Sequence, residues 1–250
     1  MGNTENTALG SEKITVLIRK FALPAILSNL VGSSYNIVDQ IFVGQKLGTV
    51  GNAATNIAFP LVLLMVTFYV TIGCGATSKF SLYQGAGKKE KAGKVVGNGL
   101  MTLAVVGIAL MSFTLLFLSP LMKLFGAKGQ TLNLAVDYTR IIAIGIPFQI
   151  FGAGSSMLIR ADGSPKYATA SSLVGAVLNT ILDPIFIFTL DMGIKGAAAA
   201  TVVGQVVGAI VSLGYFRKFR SVKLKKDYFI LNKKIIFEFC ILGLPAGLMQ

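Results

Sequence analysis

Two aspartates stand inside long apolar stretches, Asp39 and Asp183. An ionised Asp at the centre of a membrane helix costs about 2.5–3.5 kcal/mol on insertion scales, so such a residue is read first as functional. Asn179 precedes Asp183 by four residues and shares its helix face. Pro184 follows directly, has no N–H, and leaves the carbonyl of Thr180 without its helical donor. A carboxylate, an amide and a free carbonyl within one turn are oxygen ligands of the kind hard cations take. Broken helices supply such ligands in transporters. Upstream, Tyr35 and Asn36 precede Asp39 by four and three residues and lie on the same face. That face is too polar for lipid and must look at other helices or at water.

Other chemistries are poorly provided for. The chain has no His, which removes the commonest general base, metal ligand and near-neutral pH switch. Proton-linked chemistry therefore falls to carboxylates. Cys74 and Cys240 sit in apolar stretches without disulfide or metal-ligand spacing and read as small buried residues. Gly85-Ala-Gly87-Lys88-Lys89 lacks both the spacing and the preceding strand of a phosphate loop. No nucleophile elbow, zinc motif or triad is present, so no enzyme and no cofactor is expected.

The elements that position these residues are membrane helices. Of 250 residues, 54% are hydrophobic and 13% charged, and the mean hydropathy is +0.72. A soluble domain carries about 25% charged residues. A span needs about 20 mostly apolar residues. Six windows qualify, at 21–43, 53–77, 95–118, 138–160, 167–190 and 194–216. A seventh begins near Ile235 and reaches Gln250, roughly 24 Å of helix against a hydrocarbon core of about 30 Å. The expected fold is an all-α integral membrane bundle of six helices plus the start of a seventh. Residues 1–20 lack the short apolar core of a cleaved signal, so the first window is the first span.

Charge sets the orientation. With the N-terminus inside, 18 of the 23 Lys and Arg residues fall in inside segments and five outside. This follows the positive-inside rule and puts the N-terminus in the cytoplasm of a multi-pass cytoplasmic-membrane protein. It also accounts for the net charge of +13 without nucleic acid. Anionic lipid headgroups are the expected partners of the basic face. In this frame Asp39, Asp183 and Thr201 lie about 10, 7 and 6 Å outward of their helix centres. Three polar residues from three helices thus share one depth and form a candidate cation or proton site. Two plainer readings stand beside this one: Thr201 as an ordinary interhelix hydrogen bond, and an Asp neutralised by Arg140 near the outer end of the fourth span. Asp137, Asp162 and Asp191, at helix ends, are expected to be solvated. Gly204-Gln-Val-Val-Gly208 reads as close helix packing within the bundle.

The chain also repeats itself. Ala22-Leu23-Pro24-Ala25-Ile26-Leu27 recurs as Gly243-Leu244-Pro245-Ala246-Gly247-Leu248, six helices later. Both copies enter the membrane in the same direction, as in a parallel two-lobed transporter. The expected organisation is a six-helix N-terminal lobe (1–218), a basic cytoplasmic inter-lobe linker (219–232) and the start of a second lobe (233–250). The whole protein is then about twice this size, a 12-helix transporter whose C-terminal lobe is missing here.

Together these residues resemble the multidrug and toxic compound extrusion (MATE) family. The resemblance is carried by Pro24, Tyr35 and Asp39 with the following Val-Gly-Gln, and by Gln84-Gly-Ala-Gly87. It is carried further by Ile159-Arg160-Ala-Asp-Gly163 and Leu178-Asn179-Thr-Ile-Leu-Asp183-Pro184. It implies efflux of organic, often cationic, small molecules by antiport with Na⁺ or H⁺. It implies a cation site, a metal site if the ion is Na⁺, at Asp39, Asn179, Asp183 and Thr201. It also implies a helix bend at Pro24 and a substrate contact at Tyr35. The rival readings are a related lipid-linked precursor flippase, which calls for a large cationic cavity, and a non-transporting membrane scaffold or receptor.

Overall fold

The computed structural model describes residues 14–250, and the side chains of the first helix from Ile37 onward together with those of Thr15, Ile26 and Leu30. Among these residues there are helices and no strands. Helix α1 spans Ile14–Ile57 and is broken at Gly48, whose φ of 64° and ψ of −156° only a residue without Cβ adopts readily. The break separates the first span from a segment leading into α2, Phe59–Gly85. Pro60 stands in the first turn of α2, where a missing N–H is harmless, and does not interrupt it. Next come α3 (Lys89–Leu116), a short α4 (Leu118–Leu124) that the composition did not announce, and α5 (Gly129–Ala161). Then follow α6 (Pro165–Pro184), α7 (Ile194–Tyr215) and α8 (Lys233–Leu248). Among the described residues, five segments are long and apolar enough to cross a membrane, the first of them, Ile37–Gly85, running across the Gly48 break. The protein is a multi-pass, all-helical membrane protein.

Helix α5 packs against α2, α3, α6 and α7 and forms the centre of the bundle. Its Ile146, Ile150, Leu158 and Ile159 are buried in the main core with Leu103 of α3. Helices α6 and α7 touch backbone to backbone: a Cβ on Gly175 would lie 2.7 Å from the carbonyl oxygen of Gly204. The glycine pair on α7 thus serves packing inside the bundle, as its spacing suggests. On the other side of the bundle, a Cβ on Gly75 of α2 would collide with the carbonyl of Phe239 of α8, and Phe239 itself is fully buried. Helix α8 therefore lies against α2 along a seam of small residues, closed at one end by the ion pair Lys79–Glu238 at 2.6 Å.

The two ends of the bundle are tied differently. At one end Gln84 of α2 bonds Ser221 at 2.9 Å, and Asp162 after α5 holds the segment after α7. At the other end ion pairs join Lys46 to Asp191 and Lys195 to Asp137, at the latter distance of 3.1 Å. This grouping of helix ends matches the alternation inferred from charge. The expectation that the end-of-helix aspartates are solvated holds for Asp191 and Asp137, whose side chains are 77% and 38% exposed although each is ion-paired, and needs correction for Asp162, which is only 4% exposed. Sequence position alone did not show that the segment after α7 folds back over Asp162.

Candidate functional site

Asp183 projects from the last turn of α6, just before the helix widens at Pro184 into a π-helical turn, Ile185–Thr189. The proline cannot donate to a carbonyl one turn back, and the helix changes its hydrogen-bond register there. Asp183 is fully buried, Asn179 is 3% exposed and Asp39, on α1, is 7% exposed. The close approach of α6 and α7 at Gly175 and Gly204 sets Asn179 beside α7, where Thr201 lies one turn before Gly204. Asn179 Nδ2 donates to Asp183 Oδ1 at 3.2 Å and to Thr201 Oγ1 at 3.3 Å. Thr201 in turn donates to the carbonyl of Ala197 at 3.0 Å. The interhelix bond expected of a merely structural Thr is therefore made, and it is made to the site itself.

Asp39 lies within electrostatic range of Asp183. Three acceptor oxygens of this group, Asp39 Oδ1, Asn179 Oδ1 and Asp183 Oδ2, are buried without a hydrogen-bond partner. Buried acceptors in native proteins are nearly always paired, so three in one neighbourhood mark a place made for a donor or a cation. Neither Asp is neutralised by a base: among the described residues no ion pair reaches Asp39 or Asp183, and Arg140 is exposed. Among the described residues no group of three or more His, Cys, Asp or Glu gathers. Carboxylates, an amide and a hydroxyl suit a hard monovalent ion or a proton.

The amide of Asn179 now points its NH₂ at the oxygens a cation would use. Turning it by half a rotation would present Oδ1 to the same point, because the two ends of the amide have nearly the same shape. The site thus has a local alternative between an internal donor and a bound ion.

Of the other residues singled out in the sequence, the side chains of Pro24, Tyr35 and Asn36 lie outside the described residues. Next to Asp39, Gln40 Nε2 bonds Thr55 Oγ1 at 3.0 Å and joins the two parts of α1 across the Gly48 break. Sequence reasoning missed two polar anchors at the opposite end. The Tyr215 hydroxyl donates to Asp162 Oδ2 at 2.7 Å, and the backbone N–H groups of Arg220 and Ser221 donate to its carboxylate at 2.7 and 2.8 Å. Asn98, 1% exposed, donates to the carbonyl of Tyr228 at 3.1 Å and accepts from the N–H of Asn232 at 2.7 Å. A lone Asn or Asp in an apolar helix is the available signal, and only the folded chain reveals its partner.

Comparison with known proteins adds to this geometry. A family model described as MatE matches residues 24–185. The chain is 28% identical over 236 residues to the probable multidrug resistance protein YoeA of Bacillus subtilis (strain 168), covering 91% of this chain and 51% of that protein. It is 29% identical over 235 residues to the multidrug export protein MepA of Staphylococcus aureus (strain MSSA476), covering 92% and 51%. A crystal structure of MATE in the bent conformation superposes with a TM-score of 0.89 at 27% identity, over 99% of this chain and 55% of that one. The chain spans about half the length of the curated relatives it matches.

Proposed function

The chain belongs to the MatE family, and on that premise we propose that it is the N-terminal lobe of a cation-coupled exporter of organic, often cationic, small molecules. In this reading residues 1–218 form the lobe, 219–232 link it to the second lobe, and 233–250 begin that lobe. The protein lies in the cytoplasmic membrane with its N-terminus in the cytoplasm. Asp39, Asn179, Asp183 and Thr201 bind the coupling ion, Na⁺ or H⁺. Three buried, unpartnered acceptor oxygens in one neighbourhood are the observation that carries the reading. The multidrug function in the names of YoeA and MepA supports the substrate class.

The mechanism follows from charge. Without an ion, two nearby carboxyls face each other in low dielectric, and the Asn179 amide donates to one of them. Entry of a cation or proton from the outer side removes that repulsion and draws α1, α6 and α7 together at this level. Helix α1 then rearranges about Pro24, its face of Tyr35 and Asn36 changes position, and the drug is released outward. Rocking of the two lobes returns the ion site to the inner side. The flippase alternative calls for a cationic cavity, whereas this lobe buries three carboxyls, Asp39, Asp162 and Asp183, and lines its cavity with one guanidinium, Arg160.

The test is ion-dependent stability of the full-length parent. A ligand at about 100 times its Kd stabilises by roughly 2.7 kcal/mol. Melting temperature should rise with Na⁺, or with falling pH if the ion is H⁺, and Asp183→Asn should lose that rise while still inserting. An unchanged rise in Asp183→Asn would remove the site from the mechanism.

A further inference from the structure

A cavity of about 300 Å³ runs inside the lobe between α5, α6 and α7. On α5 its lining follows one face from Phe148 to Arg160, about 18 Å along the axis. On α7 it runs from Thr201 to Ser212, about 16 Å. The helices alternate in direction, so Asn179 and Thr201 mark one end and Arg160, Ser171 and Ser212 the other. Polar groups, including Gln149, Ser156 and Gln205, line the length between. The cavity thus leads from the partners of Asp183 to the end of the bundle that carries the basic loops.

Such a passage is a hazard for an antiporter. An ion that could travel it without any movement of the lobes would dissipate the gradient that drives export. One positive charge stands at its inner end. Arg160 is in the last turn of α5 and is half-buried. None of the ion pairs among the described residues reaches it. The carboxylate nearest in sequence, Asp162, is committed to Tyr215 and to the backbone N–H groups of Arg220 and Ser221. A guanidinium does not give up its proton in a protein, so its positive charge at the mouth is permanent, and among the described residues no carboxylate is ion-paired with it. Fixed positive charges of this kind exclude cations and protons from water-lined pores.

We propose that Arg160 is an electrostatic barrier that stops the coupling ion at Asp39 and Asp183 from leaking through the lobe into the cytoplasm. This rests on the ion-site reading above. A passing cation about 7 Å from the guanidinium, at an effective dielectric of about 20, is slowed roughly 10- to 100-fold.

The experiment uses the full-length parent in liposomes without drug, following collapse of an imposed Na⁺ gradient and, separately, of a proton gradient. Arg160→Gln should leak 10- to 100-fold faster than wild type for the coupling ion, while Arg160→Lys, which keeps the charge, stays within a few-fold. Ser156→Asp places a counter-charge one turn from Arg160 and should also leak, which keeps the test valid if Arg160→Gln fails to fold. Adding Asp183→Asn to Arg160→Gln should return the leak to the wild-type rate. Unchanged leakage in both neutralising variants overturns the barrier. Leakage that persists in the double variant overturns the claim that the ion comes from the site. Drug export by Asp183→Asn alone is read separately: wild-type export there sinks the ion-site reading, whatever Arg160 does.

Discussion

Replacing Asp162 with Ala should free the segment after α7 from the helix bundle. Its carboxylate accepts from the Tyr215 hydroxyl at 2.7 Å and from the N–H groups of Arg220 and Ser221 at 2.7 and 2.8 Å. Hydrogen bonds to a charged group contribute about 1.5–3 kcal/mol each. Two effects offset their loss. Arg220 is exposed and Ser221 half-buried, so water can replace the carboxylate at those N–H groups. The desolvation cost of a buried charge also disappears with it. A net of about 3 kcal/mol remains, and it acts on the segment after α7 rather than on the whole bundle. At 1.4 kcal/mol per factor of ten, local opening becomes roughly a hundredfold more frequent. When opening is fast relative to cleavage, proteolysis reports that population directly. Limited trypsin digestion of the full-length parent, with fragments identified by mass, should therefore cut after Arg220, Lys223, Lys225 and Lys226 about a hundred times faster in Asp162→Ala. Tyr215→Phe removes one donor only and should give roughly a fivefold change at about 1 kcal/mol. Cleavage within twofold of wild type in Asp162→Ala would show that the carboxylate does not hold the segment after α7, and the reasoning would fail.

Asn98→Ala strips a buried acceptor from the N–H of Asn232 and a donor from the carbonyl of Tyr228, and should cost about 2–3 kcal/mol, read as a lower melting temperature. Gly204→Val forces α7 away from the carbonyl of Gly175 and should separate Thr201 from Asn179, abolishing ion-dependent stabilisation while the helices still insert. Asp191 tests the Lys46–Asp191 pair by pH. Lys46 beside it holds its carboxyl below the usual carboxylate range. Its contribution is then complete above the unfolded value near 3.9 and disappears as pH falls through the lower folded value. Asp191→Asn should therefore lower the melting temperature slightly at pH 7 and by less as the medium is made acid, with the difference at pH 7 shrinking in high salt, since the pair is exposed.

Much of this was readable in the residues, and the reason is the solvent. A bilayer makes charge so costly that Asp39 and Asp183 announce themselves, and a helical period of four ties Asn179 to Asp183. Thr201 was placed by depth alone, since α6 and α7 run antiparallel with their polar residues at one level. The contact at Gly175 and Gly204 that completes the group was legible only as a spacing on one helix. The Gly48 break and the extra turns of α3 and α5 beyond the apolar windows were not visible, because hydropathy marks where lipid ends and not where a helix does. Asp162 was misjudged for a related reason. A residue at a helix end looks solvated until a distant segment returns to cover it, and Arg220 and Ser221 lie 58 and 59 residues away. The cavity leading to Arg160 arises from three helix faces at once, and no single sequence window contains it.

The central claim is that Asp39 and Asp183 couple ion entry to drug exit. Ethidium efflux from cells expressing the full-length parent, with Asp39→Asn and Asp183→Asn beside it in Na⁺ and Na⁺-free buffer, tests it most directly. The account predicts export by the parent and loss of export in both variants at equal surface expression, with the Na⁺ dependence identifying the ion. Export at the wild-type rate from either variant would contradict it.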